Sequence, residues 1–105
     1  MKQLPIPPAA EQDARSVEMI RAWIAERGLH CSLNVGMWHE LQQVDERRAW
    51  GILLADVARH VSNALQEDSG LDRRDSLRVI RECFEEELSR PTSRHRGGFV
   101  EQEPE

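Results

Sequence analysis

Four polar side chains have the spacing that chemistry on a helix would need. Asp56, His60, Asn63 and Glu67 are separated by four, three and four residues, and such residues share one face of a helix. A carboxylate four residues before a histidine can raise the pKa of the imidazole or fix its orientation, as a general base or a metal ligand requires. Asp56, His60 and Asn63 are therefore candidate catalytic residues. An ordinary pair on a helix surface explains the same spacing, and we favour that interpretation.

Metal and thiol chemistry have weaker support. The potential metal donors are His30, His39, His60, Cys31 and Cys83. They are scattered without the spacing of a known metal site. Cys31 lies in an alternating apolar segment, and the glutamates near Cys83 disfavour a thiolate. We predict no metal and no cofactor, with both thiols reduced and structural.

Trp38 is the aromatic residue most open to a binding role. It follows Gly36 and Met37, where its flat apolar face could meet a ligand or close one end of a small core. The second interpretation is favoured because aromatic residues make up only 5% of the chain. A small-ligand or enzymatic site around Asp56, His60, Asn63 and Trp38 is kept as the alternative function.

Two amphipathic helices must position these residues. The first is predicted from Asp45, a good N-cap, to about Gly70, a C-terminal signal. Its apolar stripe is Trp50, Leu53, Leu54, Val57, Ala58, Val61, Ala64 and Leu65. The second runs from Asp72 to about Arg90, where Pro91 prevents continuation. Its stripe is Leu77, Ile80, Phe84 and Leu88. The short connection predicts an antiparallel helix pair.

A β-hairpin is predicted before the helices. Leu29 to Val35 alternate between apolar and polar residues, as in a half-buried strand. Val17 to Ala25 fit either a helix or a strand with apolar residues on both faces. We favour the strand, because Glu26 to Gly28 resemble a hairpin loop and a lone strand would lack a ladder partner.

The termini are predicted to lie outside the fold. Residues 1–12 contain Pro5, Pro7 and Pro8 and are predicted to form an extended arm. Residues 13–91 would form a single α+β domain, and residues 92–105 a flexible tail in which Phe99 and Val100 could dock.

Composition narrows the functional classes. The net charge of −5 disfavours nucleic-acid binding. No stretch has the roughly 18 apolar residues of a membrane span, and the N-terminus lacks the apolar region of an export signal. Two cysteines do not make a disulfide framework. We therefore predict a cytoplasmic protein that binds neither nucleic acid nor membrane.

Several apolar residues are left over once the helix stripes are assigned, and they suggest a second copy of the chain. An isolated two-stranded hairpin is only marginally stable, and pairing with another copy would extend the sheet. The predicted interface residues are Ile20, Trp23, Ile24, Ile52, Val79 and Cys83.

The segment from Trp50 to Val61, with Leu29 to Leu33 before it and Pro91-Thr92 after it, resembles a bacterial domain-of-unknown-function family, number 5076. The resemblance covers most of Val17 to Thr92. It implies a hairpin followed by two helices, and it supplies no activity or catalytic residue. We therefore predict a two-stranded antiparallel hairpin packed on an antiparallel helix pair. The predicted function is a non-catalytic homodimeric interaction or binding module, with a second copy as the partner and another protein as a further candidate.

Overall fold

The computed structural model describes residues 1–38, 45–92 and 99–101. The elements with described bounds are α1 (Pro8–Gln12), β1 (Ile20–Ala25), β2 (Gly28–Leu33), α2 (Glu46–Ser69), α3 (Arg73–Ser89) and β3 (Phe99–Glu101). The chain divides into two compact units, Met1–Val35 with Arg96–Glu105, and Gly36–His95. The predicted α+β class, with an antiparallel hairpin and a helix pair, is confirmed. The assignment of residues 13–91 to one domain stays a prediction.

In the first unit, the arm of residues 1–7 has no regular secondary structure and leads into α1. Pro7 has an extended backbone, and Pro8 begins the helix. Proline is tolerated at the first helical position because the amide there has no partner within the helix. The prediction of an extended arm up to residue 12 is therefore wrong over Pro8–Gln12, where the prolines start a helical turn.

The hairpin of β1 and β2 follows. The two strands pair antiparallel, with Ala25 opposite Gly28, so only Glu26 and Arg27 form the loop. Both loop residues have positive φ, 51° and 64°, as in a type I′ turn. The predicted strand is confirmed over Ile20–Ala25, and the helical alternative for this segment is excluded.

The hairpin has one apolar and one mixed face. The cross-strand pairs Ile20–Leu33, Ala22–Cys31 and Ile24–Leu29 form the apolar face. Arg21–Ser32 and Trp23–His30 lie on the other. β3 pairs parallel with β2, which the sequence did not indicate, so β1 is left at an edge of the sheet.

The second unit contains the predicted antiparallel helix pair. The Asp45 carboxylate accepts from the Arg47 amide to start α2, and Gly70 ends the helix with a left-handed φ of 70°. The Asp72 side chain accepts from the Asp75 amide to start α3. These residues are the caps that the sequence predicts, so the helix boundaries follow from local signals.

Two serines indicate where the helices meet, because Ser62 and Ser76 are the buried residues of α2 and α3. Ser62 is fully buried and donates its hydroxyl to the Ala58 carbonyl oxygen, and Ser76 is almost fully buried. No apolar side chain in the parts of the chain that the structure describes is buried. The apolar stripes of both helices are instead partly exposed, so they remain open to further contacts.

Candidate functional site

The polar ridge predicted on the first helix lies on α2, open to solvent. Asp56, His60, Asn63 and Glu67 are all exposed. The Asp56 carboxylate accepts from the Arg59 guanidinium at 2.9 Å, three residues along the helix. The His60 and Asn63 side chains make no hydrogen bond within the described residues. The helix brings these side chains to one surface, but it does not link them, and their catalytic role stays a prediction.

Trp38 packs against another aromatic ring. Its ring and that of Trp50 stand at 89° with centroids 5.7 Å apart, an edge-to-face arrangement that favours both quadrupoles. Both side chains are half-buried. The structure thus gives Trp38 an aromatic neighbour, and the choice between a packing role and a binding role for Trp38 stays a prediction.

Glu46 organises the segment around this aromatic pair, a role that was not predicted from the sequence. Both of its carboxylate oxygens accept from the Gly36 amide at 2.9 Å, and Oε2 also accepts from Trp50 Nε1 at 3.1 Å. Gly36 has a φ of 108°, which residues other than glycine rarely adopt. The spacing of Glu46 and Trp50, four residues apart on a predicted helix, was the available signal.

Among the described residues, Glu18, Asp45 and Glu87 have pKa values below their ordinary range, each because of a local hydrogen bond. The Arg21 side chain lowers the pKa of Glu18, and the Arg47 side chain lowers that of Asp45. The hydrogen bond from Thr92 lowers the pKa of Glu87. Glu18 and Asp45 are exposed and Glu87 is half-buried. Each of the three bonds joins near neighbours in the chain, so these carboxylates do not form a shared site.

The potential metal donors do not converge in the described residues, where no group of three or more His, Cys, Asp or Glu side chains could hold an ion. Cys31 is half-buried and Cys83 exposed, and both are free thiols. Among the residues that the structure describes, the buried Nε2 atom of His30 has no hydrogen-bond partner. His39 and most of the predicted tail lie outside the described residues.

The predicted interface residues are distributed over both units. Ile20 and Trp23 are half-buried, whereas Cys83 is exposed. Ile24, Ile52 and Val79 are 81%, 62% and 52% exposed. Clusters of exposed apolar residues are a mark of interaction surfaces. For the residues on the helices, the position around each helix relative to the contact between α2 and α3 decides whether they form such a cluster.

The helix pair presents two apolar surfaces. An approximate twofold axis relates antiparallel helices, so residues rotated in the same sense from the contact line share a surface. Measured from Ser62 and Ser76 at about 100° per residue, one surface contains Leu54, Val57, Val61 and Val79. The opposite surface contains Ile52, Phe84 and Leu88. All seven side chains are exposed.

A groove of about 650 Å³ runs along β1 in the first unit. Its walls are β1, the arm and α1, with apolar contributions from Leu4, Ile6, Val17, Ile20 and Trp23. Arg21 and Ala22 also line it, so residues from both faces of β1 contribute. Because both faces reach the groove, it follows the free edge of the strand.

No helix in the described ranges is long and apolar enough to cross a membrane. No curated protein matches the sequence. Among solved structures, the chain is similar to one named a "putative pyruvate dehydrogenase" from the photosynthetic bacterium Rhodopseudomonas palustrus CGA009. The two share 31% identity with a TM-score of 0.65, over 95% of this chain and 96% of that one. The family model described as Domain of unknown function (DUF5076) matches residues 3–92. The chain therefore belongs to this family.

Proposed function

We propose that this protein is a non-catalytic homodimeric interaction module of the bacterial cytoplasm. One observation carries the proposal: no apolar side chain in the described residues is buried, although both helices and the hairpin have apolar faces. Burial of apolar surface is the main favourable contribution to folding. A chain that leaves these faces exposed needs a further surface to cover them.

The exposure of single side chains is consistent with this need. Ile24, Ile52 and Leu88 are 81%, 62% and 71% exposed. Burial of such a side chain contributes about 1.5 to 3 kcal/mol, so a few of them at an interface stabilise a dimer.

A second copy is favoured as the partner because it carries the same exposed apolar surfaces as the first. The helix pair has an apolar surface on each side, and the sheet has an apolar face that ends in Ile24 and Leu29, 81% and 53% exposed. Isologous dimers bury the same patch on both chains, so a second copy brings an apolar surface of matching extent. Another protein could use the remaining surface.

The name given to the Rhodopseudomonas structure raises an enzymatic alternative, which the described residues of this chain do not favour. The Asp56 carboxylate is bonded to Arg59, and His60 and Asn63 are exposed on the same convex helix surface. A catalytic group must lie within hydrogen-bond reach of its partner and its substrate. The free thiols of Cys31 and Cys83 fit the reducing compartment that we propose.

Sedimentation equilibrium tests the proposal. We expect a mass of twice 12.1 kDa at micromolar protein, with dissociation on dilution. A mass of 12.1 kDa at high micromolar concentration would refute it. His60→Ala should leave the mass and the folding unchanged, and an H60A protein that folds and dimerises but has lost its cellular role would favour the ligand-site alternative.

A further inference from the structure

The backbone of β1 shows which residues can pair with another strand. The Asn34 amide donates to the Met19 carbonyl at 3.0 Å, so Met19 and Asn34 form a hydrogen-bonded pair. Such pairs alternate along an antiparallel ladder, and Arg21, Trp23 and Ala25 therefore also bond to β2. The amide and carbonyl groups of Ile20, Ala22 and Ile24 consequently face the free edge.

The arm does not satisfy these groups. Pro5 and Pro7 lack amide donors, and no backbone hydrogen bond joins the arm to β1 within the described parts of the chain. The groove separates the two segments instead. β1 has no proline and no bulge within its six residues, so it lacks two of the features that commonly keep an edge strand from pairing.

We propose that β1 of a second copy pairs antiparallel with β1 of the first, about a twofold axis at Ala22. The two three-stranded sheets would then form one sheet of six strands. This inference rests on the proposed homodimer and assigns its interface.

The hydrogen-bonding pattern selects this register. With the axis at Ala22, Ile20 pairs with the second copy's Ile24, and Ala22 pairs with the second copy's Ala22. Each residue whose backbone groups face the free edge therefore pairs with another such residue. An axis at Arg21 places two guanidinium groups opposite each other, which is destabilising. An axis at Trp23 pairs Ile20 with the second copy's Glu26.

Side chains agree with the same register. On the apolar face, Leu33–Ile20 would continue into Ile24–Leu29 of the second copy, which doubles the apolar face. On the opposite face, Arg21 would lie across from the second copy's Trp23, a favourable cation–π pairing. Glu18 would approach the second copy's Glu26 beyond the strand ends. The two bonds of 2.7 and 2.9 Å from Arg21 to Glu18 offset that repulsion.

Single-cysteine variants of the full chain test directly which positions of the two β1 strands lie opposite each other. The background is Cys31→Ala with Cys83→Ala, because Cys31 lies opposite Ala22 in the hairpin. The register brings the two Ala22 Cα atoms to about 5.5 Å, within the range of a disulfide. Two residues at position 21, or two at position 23, would be about 8 Å apart, too far to bridge.

We expect Ala22→Cys to cross-link on mild oxidation, and Arg21→Cys and Trp23→Cys not to. A dimer by sedimentation that cross-links at position 21 or 23, or at none of the three, would overturn the register but leave the homodimer standing. A monomeric mass for the parent chain would overturn both.

Two charge variants provide a second measurement that does not depend on disulfides. Ile24→Lys should weaken dimerisation at least 100-fold, because each dimer loses two buried isoleucines. Ile52→Lys is the matched control, since Ile52 is also strongly exposed in the single chain, and it should change the dissociation constant less than threefold. The reverse result would place the dimer interface on the helices and refute the pairing of β1.

Discussion

The turn of the hairpin offers the sharpest test of the backbone geometry. Glu26 and Arg27 have φ values of 51° and 64°, although the left-handed region costs a residue other than glycine about 1 kcal/mol or more. Neither side chain makes a hydrogen bond or ion pair within the described residues. Asparagine and glycine are the residues that a type I′ turn favours at these two positions.

Replacing the pair by Asn-Gly should therefore stabilise the protein. Relief of strain at both positions gives about 2 kcal/mol, and the extra unfolded-state entropy of glycine removes up to about 1 kcal/mol. The net gain of about 1 kcal/mol corresponds to a rise in Tm of about 4 to 8 °C. The wild type and the E26N/R27G variant should be compared by circular dichroism at one protein concentration, since dimerisation couples Tm to concentration.

The matched control is Arg48→Gly, which introduces glycine within α2 and should lower stability by about 1 kcal/mol. An unchanged or lower Tm for E26N/R27G, with the expected loss for R48G, would show that the loop does not have left-handed backbone at both residues.

Three other predictions concern the second unit. Gly51→Ala should stabilise the protein by about 1 kcal/mol, because a Cβ at this position meets no atom within 4 Å. Gly70→Ala should destabilise it by a similar amount, because the φ of Gly70 is 70°. Chemical denaturation of the two variants measures both changes. Asp45→Asn should keep the helix cap but reduce the loss of stability in acid. The hydrogen bond from Arg47 lowers the pKa of Asp45 in the folded state. The stability that this bond contributes is therefore present above the unfolded-state pKa and is lost as pH falls through the folded-state pKa. Identical acid titrations for wild type and D45N would contradict this. Glu46→Ala should lower the free energy of unfolding by about 1 to 3 kcal/mol, because it removes the acceptor of Gly36 and Trp50. In a Trp23→Phe background it should also shift tryptophan emission to longer wavelength. Glu46→Gln should have a smaller effect on both.

The helices could be predicted almost to the residue because their signals are local. Asp45, Gly70 and Asp72 act through their own backbone neighbours, so no knowledge of the rest of the chain is needed. Pro91 ends the second helix for an equally local reason. After it, the Thr92 amide donates to the Glu87 carboxylate at 3.1 Å.

The strands were harder to predict because their pairing is not local. Val17 to Ala25 carry apolar residues that fit both a helical and an alternating pattern, and the register with β2 decides between them. β3 has three residues and pairs with a strand some 70 positions earlier. Nothing within Phe99–Glu101 indicates that partner. The turn was also difficult, since Glu-Arg is an unusual choice for two left-handed residues.

The candidate site shows how spacing can predict proximity without predicting bonding. Asp56 and His60 do share a helix surface, but Arg59 is also within reach of Asp56 and forms the bond. A guanidinium presents a planar fork of charged donors that matches the geometry of a carboxylate, and an imidazole ring has no such fork. The contact of Glu46 with Gly36 was missed because the two residues are ten positions apart and Gly36 lies outside the helix, so helical spacing does not predict it.

Hydrogen bonds and apolar contacts would have separate roles in the proposed dimer. Three residue pairs at the β1 edge supply six backbone bonds, roughly 6 kcal/mol in all, while association itself costs on the order of 10 kcal/mol. A dissociation constant near 1 μM requires about 8 kcal/mol, so apolar burial must contribute about 12 kcal/mol, or roughly 500 Å². Strand pairing thus sets the register, and the apolar faces must supply the affinity. Substitutions that bury less apolar area should therefore weaken the dimer without changing which cysteines cross-link.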